Sequence, residues 1–419
     1  MSERPAFDIE ILLRAQRGPL RPLPAEAAES YHHASYAALV QILTGYGMTD
    51  APELVLVDST HALTEMVHVG SKRWVVYDLH LGRIFARLNA VVDTEASLRS
   101  IDADLSRIYI GRLLVHGRSR DAYVVAVFHL VRLMDDLVSV DLLDPERQRM
   151  NHAEEIFVLA HELMHFVFTE HPAIASVLTN MYFELCAAEE SDLDERPKPS
   201  AEEAAETFAD DVNREWVRRH GDFDEAELAQ GKEMMMASYL KRLTGHSLHT
   251  SRTAREDPVL SEEVVCDAGA AVLTAIVMGD KTADGTLDAL AAAFDANQKL
   301  RLIKHMDWQI AGREKASKGA FDANSRGSQL RQFYRGLYES GLSGVAFGFT
   351  STEADHVAML NRIRIINERF YGTLFDQLLT KAFYGQFTYI LDPDSPIAAA
   401  PSSVADCWKV ASNAMFAED

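Results

Sequence analysis

The sequence predicts a mostly α protein of the α+β class, with a small sheet and helical insertions. Three observations lead to this prediction. Apolar residues make up 47% and charged residues 25% of the 419 positions, as in ordinary globular proteins. Apolar runs of helical length occur at 156–168 and 264–278. Two short runs, 53–57 and 73–78, have the β-branched and aromatic character of strands.

The first elements of the chain are expected to surround this small sheet. Residues 1–30 are rich in Pro, Arg and Ala and are predicted to form a peripheral segment. A helix is predicted at 31–48, before the two strands, and a long buried helix at 119–138. A further helix is predicted near 150–169, because the run is apolar and Pro172 lies just beyond its end.

The rest of the chain is expected to be helical with polar interruptions. The polar runs 189–203 and 246–258 predict connections that bound a helical insertion near 190–258. The Pro- and Ala-rich composition after residue 393 predicts a C-terminal tail at 394–419. These boundaries leave one large domain at 31–393.

The most informative motif is His161-Glu162-Leu163-Met164-His165. Positions i and i+4 share one face of a helix, so the two imidazoles can hold one metal ion. Glu162 lies beside the first ligand but off that line, which suits a general base acting on a metal-bound water. The simpler interpretation is an amphipathic helix with two surface histidines. Ionisable side chains embedded in a run of Ile, Phe, Val, Leu and Met need a reason to be buried, and this favours the metal site.

A catalytic zinc takes three protein ligands, so this motif requires one more. His171 follows His161 by ten residues, but no Gly lies between them to turn the chain back. Glu206 and Glu263 are each followed four residues later by Asp, a spacing that places both carboxylates on one helix face. Glu206 lies in charged sequence, whereas Glu263 opens an apolar run whose small residues would let two helices approach closely. We expect Glu263 to be the ligand, with Asp267 contacting a ligand histidine.

A third segment, 351–366, carries His356 and Arg362 in a helix-like pattern. Together with the motifs at 161–165 and 263–267, it makes the chain similar to the HtpX-like and CAAX-prenyl-protease zinc endopeptidases. The resemblance covers these three short segments. The chain departs from the family pattern by Cys for Ala in the second segment and by Val-Ala for Pro-Pro after His356.

The resemblance implies a zincin-like metallopeptidase core of the gluzincin type. It implies that Zn²⁺ binds to His161, His165 and Glu263. It also implies that His356 and Arg362 hold the oxyanion and the substrate near the metal, a role suited to two hydrogen-bond donors. The alternative for this last pair is a surface helix start with a solvated Arg.

Composition and charge predict which partners such an enzyme binds and where in the cell it is found. The chain has no uninterrupted apolar run of about 18 residues, so no membrane association is expected, unlike in the similar family. A net charge of −22 argues against nucleic-acid binding. The polar stretch 311–328, which includes Arg326, is expected to be a solvated loop. Three widely spaced cysteines and a start without an apolar signal segment predict a cytoplasmic protein.

These features together predict a soluble zinc-dependent metalloendopeptidase whose substrate is a protein or peptide. Glu162 would take a proton from the attacking water and pass it to the leaving amine. The alternative is a regulatory or binding module that keeps the same fold, with structural zinc or no zinc. Zinc content combined with the activity of Glu162→Gln separates these two hypotheses.

Overall fold

The computed structural model describes residues 9–17, 20–23, 31–93, 98–134, 144–195, 255–311, 313–340, 352–369 and 403–416. It also describes short separate stretches between 202 and 236, and Phe347. Within these residues the protein is mostly helical with one small mixed sheet, as the sequence predicts.

The sheet contains strands β1 (Glu53–Val57), β2 (Glu65–Val69) and β3 (Lys72–Asp78) in the order β1-β3-β2. β3 pairs in parallel with β1 and antiparallel with β2. The two predicted strands are confirmed as β1 and β3. β2 has no counterpart in the sequence prediction, because its five residues include Glu and His and give only a weak strand pattern. Gly70, at φ 61°, connects β2 to β3.

Helix α1 (Ile9–Arg17) packs on this sheet. Its Leu13 is buried in one hydrophobic cluster with Trp74 and Val76 of β3. Arg17 forms a 2.7 Å ion pair with Glu65 of β2. Part of the segment predicted to be peripheral therefore covers one side of the sheet.

Three longer helices complete the N-terminal half: α2 (Tyr31–Gly45), α3 (Leu79–Asp93) and α4 (Leu98–Val115). α2 confirms the helix predicted at 31–48, although it ends at Gly45. Gly47 then adopts φ 98°, a conformation that a helix cannot continue through. α2 packs against the helix that carries the His161–His165 motif.

The single long helix predicted at 119–138 is wrong. α5 (Ser119–Val124) passes into a π-helical turn at Val125–His129 and then a 3₁₀ turn at Leu130–Arg132. The run is rich in valine, whose branched side chain is restricted in an α-helix, and a change of helical pitch alters which residues are buried. The end of the predicted helix, at 135–138, lies outside the described residues.

Helix α6 (Pro145–Glu170) contains the His161–His165 motif and confirms the helix predicted near 150–169. It begins earlier than predicted because Asp144 accepts a hydrogen bond from the Glu146 backbone N–H and caps the first turn. Pro145 suits the first helical position, since its fixed φ is helical and it has no N–H to satisfy.

The polar connection predicted at 189–203 is wrong for residues 189–195, which are helical. Helix α7 (Pro172–Glu195) includes residues 189–195, whose Glu, Leu and Asp side chains are compatible with a helix despite their polarity. Residues 196–200 lie outside the described part. Within the predicted insertion near 190–258, the described positions between 202 and 236 are helical.

The C-terminal half contributes α8 (Pro258–Met278), α9 (Ala283–Ala311), α10 (Arg313–Glu339), α11 (Glu353–Arg369) and α12 (Val404–Met415). α10 overturns the solvated loop predicted at 311–328. Lys, Ala, Arg and Gln favour helices as much as they favour solvent, so polarity alone did not identify a loop. α12 lies in the predicted tail, and its Met415 carbonyl accepts a 3.0 Å hydrogen bond from Arg107 Nε.

Helices α6, α8 and α9 pack side by side in the core of the protein. A Cβ at Gly269 of α8 would lie 2.8 Å from Met164 Cε, so at this point α8 packs against α6 with room for a glycine, and a larger residue would require Met164 to shift. A buried ion pair between Glu154 Oε1 and Lys299 Nζ, at 2.5 Å, joins α6 to α9. Among the described residues, no helix combines the length and apolarity needed to cross a membrane.

Candidate metal centre

His161 and His165 lie on one face of α6, one helical turn apart. Their Nε2 atoms are 3.1 Å apart, and their ring planes are nearly perpendicular at 86°. His161 is buried, with 6% of its surface exposed, and His165 is partly exposed. Two ring nitrogens that face each other at this distance can share a hydrogen bond or bind one cation.

Glu263 brings a carboxylate to this pair from α8. The Asp257 side chain caps α8 by accepting hydrogen bonds from the backbone N–H groups of Val259 and Leu260. Glu263 Oε2 lies 3.7 Å from His161 Nε2, and its Oε1 lies 3.6 Å from His165 Nε2. The structure therefore brings together the three residues that were predicted from the sequence to share a metal ion.

These three donors fit a tetrahedral zinc ion. Zn–N and Zn–O bonds of about 2.0–2.2 Å at tetrahedral angles place neighbouring ligand atoms about 3.3 Å apart. The two Nε2 atoms are 3.1 Å apart, and each lies close to a different oxygen of the Glu263 carboxylate, His161 at 3.7 Å from Oε2 and His165 at 3.6 Å from Oε1. Two imidazoles and one carboxylate form a donor set that Zn²⁺ accepts, and three ligands leave a fourth position for water or substrate.

Two further carboxylates of α8 contact the Nδ1 atoms of the two histidines, the ring nitrogens that do not face Glu263. Asp267 Oδ1 lies 3.0 Å from His161 Nδ1, as predicted from its spacing after Glu263. Glu262 Oε1 lies 2.8 Å from His165 Nδ1. Such contacts fix the tautomer and orientation of a ligand histidine, so that Nε2 is left to bind the metal. Glu262 was not predicted from the sequence, where its only signal is its place beside Glu263.

A second set of donors lies on the outer side of His165. Its Nδ1 is close to Glu262 Oε1 and lies 3.7 Å from Cys266 Sγ. Burial raises the pKa of the Cys266 thiol, and the negative charge of Glu263 raises it further. A thiol binds metal as its thiolate, so this set is the weaker candidate. We therefore interpret Glu262 as the acceptor that orients His165.

Arg326 of α10 holds the carboxylates of α8 in place. Its Nη1 lies 2.6 Å from Glu263 Oε2, and its Nη2 lies 2.6 Å from Asp267 Oδ1. Its Nε donates a 2.7 Å hydrogen bond to Asp267 Oδ2, which also accepts one from Asn297 Nδ2 at 3.0 Å. Arg326 is buried, which contradicts the solvated position expected for it.

The arginine sets the charge state of both carboxylates. Burial would raise the pKa of Glu263, but the charges of Arg326, His161 and Lys304 together outweigh it, with Arg326 the largest of the three, and lower the pKa to about 2. The same balance of burial against Arg326, aided by His161, holds the pKa of Asp267 well below its usual range. Both carboxylates are therefore ionised at neutral pH, the state that a metal ligand and a histidine acceptor require.

Glu162 follows His161 on α6 and is partly exposed. Enough protein surrounds the carboxylate that burial raises its pKa, although His161 and His165 act in the opposite direction. A raised pKa makes a carboxylate a stronger base than a free one. This environment is suited to the general-base role expected for Glu162.

The two other candidates for the third ligand lie elsewhere. Glu206 forms a 2.9 Å ion pair with Lys232, and its side chain is 57% exposed. His171 lies at the C-terminal end of α6, with its Nε2 3.1 Å from the Thr49 carbonyl oxygen and its ring against Phe166. Within the described residues, neither belongs to a cluster of metal donors.

His356 lies on α11 and is not brought to the metal centre. Its ring stacks on Tyr338 of α10, with the ring centroids 5.9 Å apart. Tyr338 follows Arg326 on the same helix by more than three turns, which corresponds to about 18 Å. The imidazole therefore stands away from His161 and Glu263.

Arg362 is also placed away from the metal centre. Its Nη2 lies 3.4 Å from Asp284 and 3.2 Å from Asp288, near the N-terminal end of α9. Asn297, which contacts the centre through Asp267, lies about 14 Å further along α9. The structure thus does not place His356 and Arg362 where they could hold an oxyanion. Their assignment depended on the order of motifs along the chain, which does not fix how α11 packs.

Comparison with protein-family models found no match, and comparisons with curated proteins and with solved structures found none either.

Proposed function

We propose that this protein is a zinc-dependent peptidase in which His161, His165 and Glu263 hold Zn²⁺. The observation that carries the proposal is the convergence of three metal-binding side chains. The Nε2 atoms of His161 and His165 are 3.1 Å apart, and each lies 3.6 to 3.7 Å from one oxygen of the Glu263 carboxylate, with Glu162 next to His161 in the chain. The resemblance of the motifs at 161–165 and 263–267 to HtpX-like endopeptidases supports it. We also propose a zincin-like core, supported by the packing of α6 against β2 and β3.

Each residue of the proposed site has its own role in peptide hydrolysis. Zn²⁺ bound at this site would lower the pKa of water and polarise the peptide carbonyl. Glu162 accepts a proton from the attacking water and donates it to the leaving amine. Asp267 and Glu262 keep the two imidazoles in the orientation that presents Nε2 to the site. Arg326 keeps Glu263 and Asp267 ionised and fixed.

The substrate proposed is a protein or peptide, and the proposed location is the cytoplasm. The three cysteines, Cys186, Cys266 and Cys407, are buried and none of them is in a disulfide. Buried thiols are the ordinary state of cysteine in a reducing compartment, which supports this location.

The test compares the full-length chain with its Glu162→Gln variant, both loaded with one equivalent of zinc. Cleavage of a mixed peptide library is followed by mass spectrometry, and bound zinc by elemental analysis. We expect both proteins to retain zinc, and the variant to lose about 10²–10⁴-fold in cleavage rate because Gln cannot accept the proton. Equal cleavage by both proteins would remove Glu162 as the base. Zinc binding without cleavage by the parent protein would favour a binding module.

A further inference from the structure

Lys304 lies on α9 on the side that faces the metal centre. Asn297, on the same helix, donates a 3.0 Å hydrogen bond to Asp267 of α8. Lys304 follows Asn297 by seven residues, which is two helical turns, so both side chains lie on one face of α9. This face of α9 therefore carries the Asn297 amide, which contacts Asp267, and the Lys304 ammonium group, which lies about 10 Å further along the helix.

The charges that act on Lys304 are those of the metal centre. Arg326 lowers the pKa of Lys304 most strongly, with burial next, while Glu263, Asp267 and Glu162 act in the opposite direction. The effect is mutual, because the charge of Lys304 lowers the pKa of both Glu162 and Glu263. These charge effects agree with the helical spacing, which places Lys304 on the face of α9 whose Asn297 contacts Asp267.

Lys304 and Arg326 are both cations near the proposed site, but they differ in their hydrogen-bond and ion-pair partners. The Arg326 guanidinium is buried and bonded to Glu263 and Asp267. Lys304 is exposed to solvent, and among the described residues its Nζ has no hydrogen bond or ion pair. Protein atoms nevertheless crowd its side chain enough to desolvate it partly. An ammonium in this setting is available to an incoming anion.

We propose that Lys304 binds a carboxylate of the substrate, either the terminal carboxylate of a peptide or that of an Asp or Glu side chain. This inference rests on the proposed peptidase function and adds a substrate class to it. A chain with a net charge of −22 repels anionic peptides, and the carboxylates of Glu162 and Glu263 add to that repulsion at the site. Lys304 offsets the repulsion where the substrate would lie.

The exposure of Lys304 favours this role over stabilisation of the oxyanion. Transition-state stabilisation depends on donors that are held in place before the reaction begins. An exposed lysine has a flexible four-carbon stem and a strongly hydrated ammonium, and in the described residues no contact fixes its position. Such a side chain suits binding of a charged group on the substrate, which affects affinity more than the rate of the chemical step.

The test uses three hydroxamate probes on the zinc-loaded full-length protein. All three carry a zinc-binding hydroxamate and a Gly-Ala tail, and they differ at the end of the tail. The first ends in a free carboxylate, and the second ends in a carboxamide. The third has an added Asp residue followed by a carboxamide, so that its only carboxylate is the Asp side chain. Their affinities are measured by calorimetry for the parent protein and for Lys304→Ala and Lys304→Arg. Lys409→Ala, at an exposed lysine of α12, is the control with the same change of charge.

We expect the parent protein to prefer a carboxylate probe to the carboxamide by about three- to fivefold at low salt, as for an exposed ion pair. The probe that is preferred identifies which source of carboxylate Lys304 binds. The preference should vanish in Lys304→Ala, persist in Lys304→Arg and Lys409→Ala, and weaken as salt is added.

The outcomes keep this inference separate from the proposed function. If the protein holds zinc and binds all three probes, but Lys304→Ala keeps the parent's preference, the assignment of Lys304 is overturned while the metal site stands. The assignment is also overturned if the zinc-loaded parent protein shows no preference among the probes. If the protein holds no zinc and binds no hydroxamate, the proposed function fails first.

Discussion

The carboxylates of Glu262 and Glu263 lie on opposite sides of one imidazole ring. Glu262 Oε1 is 2.8 Å from Nδ1 of His165, and Glu263 Oε1 is 3.6 Å from Nε2 of the same ring. Two consecutive residues of α8 thus contact both nitrogens of a histidine on α6. One contact orients the ring, and the other places a metal donor beside it, so small rotations of α8 would affect both.

The histidines of α6 should determine zinc content. We expect about one zinc per chain in the parent protein, and a large loss in His161→Ala and in His165→Ala, because each removes one of three ligands. His171→Ala changes a histidine of the same segment that lies outside the cluster, and it should keep its zinc. Elemental analysis after dialysis checks this. Full zinc retention in both His161→Ala and His165→Ala would exclude the metal site.

The third ligand can be identified by a pair of matched carboxylate changes. Glu263→Gln should weaken zinc binding by more than about 100-fold, since it removes a charged ligand and not only an outer contact. Glu206→Gln, in the insertion, should leave the affinity unchanged. Competition with a chromophoric chelator gives both values. A large effect of Glu206→Gln, with none of Glu263→Gln, would reverse the assignment.

The outer contact of Glu262 should affect metal affinity without loss of the fold. Its side chain is 40% exposed, so Glu262→Gln should cost little stability. Loss of the charged acceptor behind His165 should weaken zinc binding about 10- to 100-fold. Glu353→Gln, at an exposed position of α11, is the control. An unchanged affinity in Glu262→Gln would mean that His165 does not need this contact.

Removal of Arg326 should leave the buried carboxylate of Asp267 and the partly exposed carboxylate of Glu263 without their cation. We expect Arg326→Met to lower the free energy of unfolding by about 3–5 kcal/mol in the presence of a chelator. Added zinc should restore part of this loss, because it supplies positive charge to Glu263. Urea titrations with and without zinc measure both effects. Arg331→Met changes an exposed arginine of the same helix and should be near neutral; equal effects of the two substitutions would contradict the role of Arg326.

The stability of the protein should fall in mild acid, in part through His305 of α9. Burial, aided by Arg301, lowers the pKa of His305 from 6.5 to about 4. As the pH falls, the His305 imidazole is therefore protonated in the unfolded chain before it is protonated in the folded protein. The stability that neutral His305 contributes above pH 6.5 is lost as the pH falls towards 4. Between pH 7 and pH 5, the free energy of unfolding of His305→Gln should fall by about 2 kcal/mol less than that of the parent protein. Urea titrations at both pH values check this, with His68→Gln as the control at an exposed histidine.

Local spacing, together with the apolar run that follows Glu263, was enough to predict most of the residues that come together from α6 and α8, although it did not identify Glu262. His161 and His165 are one turn apart on an apolar helix, and Glu263 and Asp267 repeat that spacing on another. Small residues around Gly269 also indicated that the second helix could approach the first closely. These features depend on helical periodicity, which a sequence displays directly.

Other features depend on long-range packing and could not be predicted in the same way. Arg326 lies 59 residues after Asp267, in polar sequence that is equally typical of a solvated surface. Its burial follows from how α10 packs against α8, and no local pattern encodes that. The positions of His356 and Arg362 depend in the same way on where α11 packs, so the order of motifs along the chain did not locate them.

The contact between His165 and Glu262 joins residues 97 positions apart in the sequence. A Zn²⁺ ion at the proposed site would therefore add direct metal bonds between two distant parts of the chain that are otherwise joined by packing and by contacts such as this one. At a free zinc concentration about 1,000 times its Kd, such a ligand adds about 4 kcal/mol to the stability of the folded state. Proteases degrade chains in proportion to how often they unfold, so the cellular abundance of this protein would rise and fall with the supply of zinc.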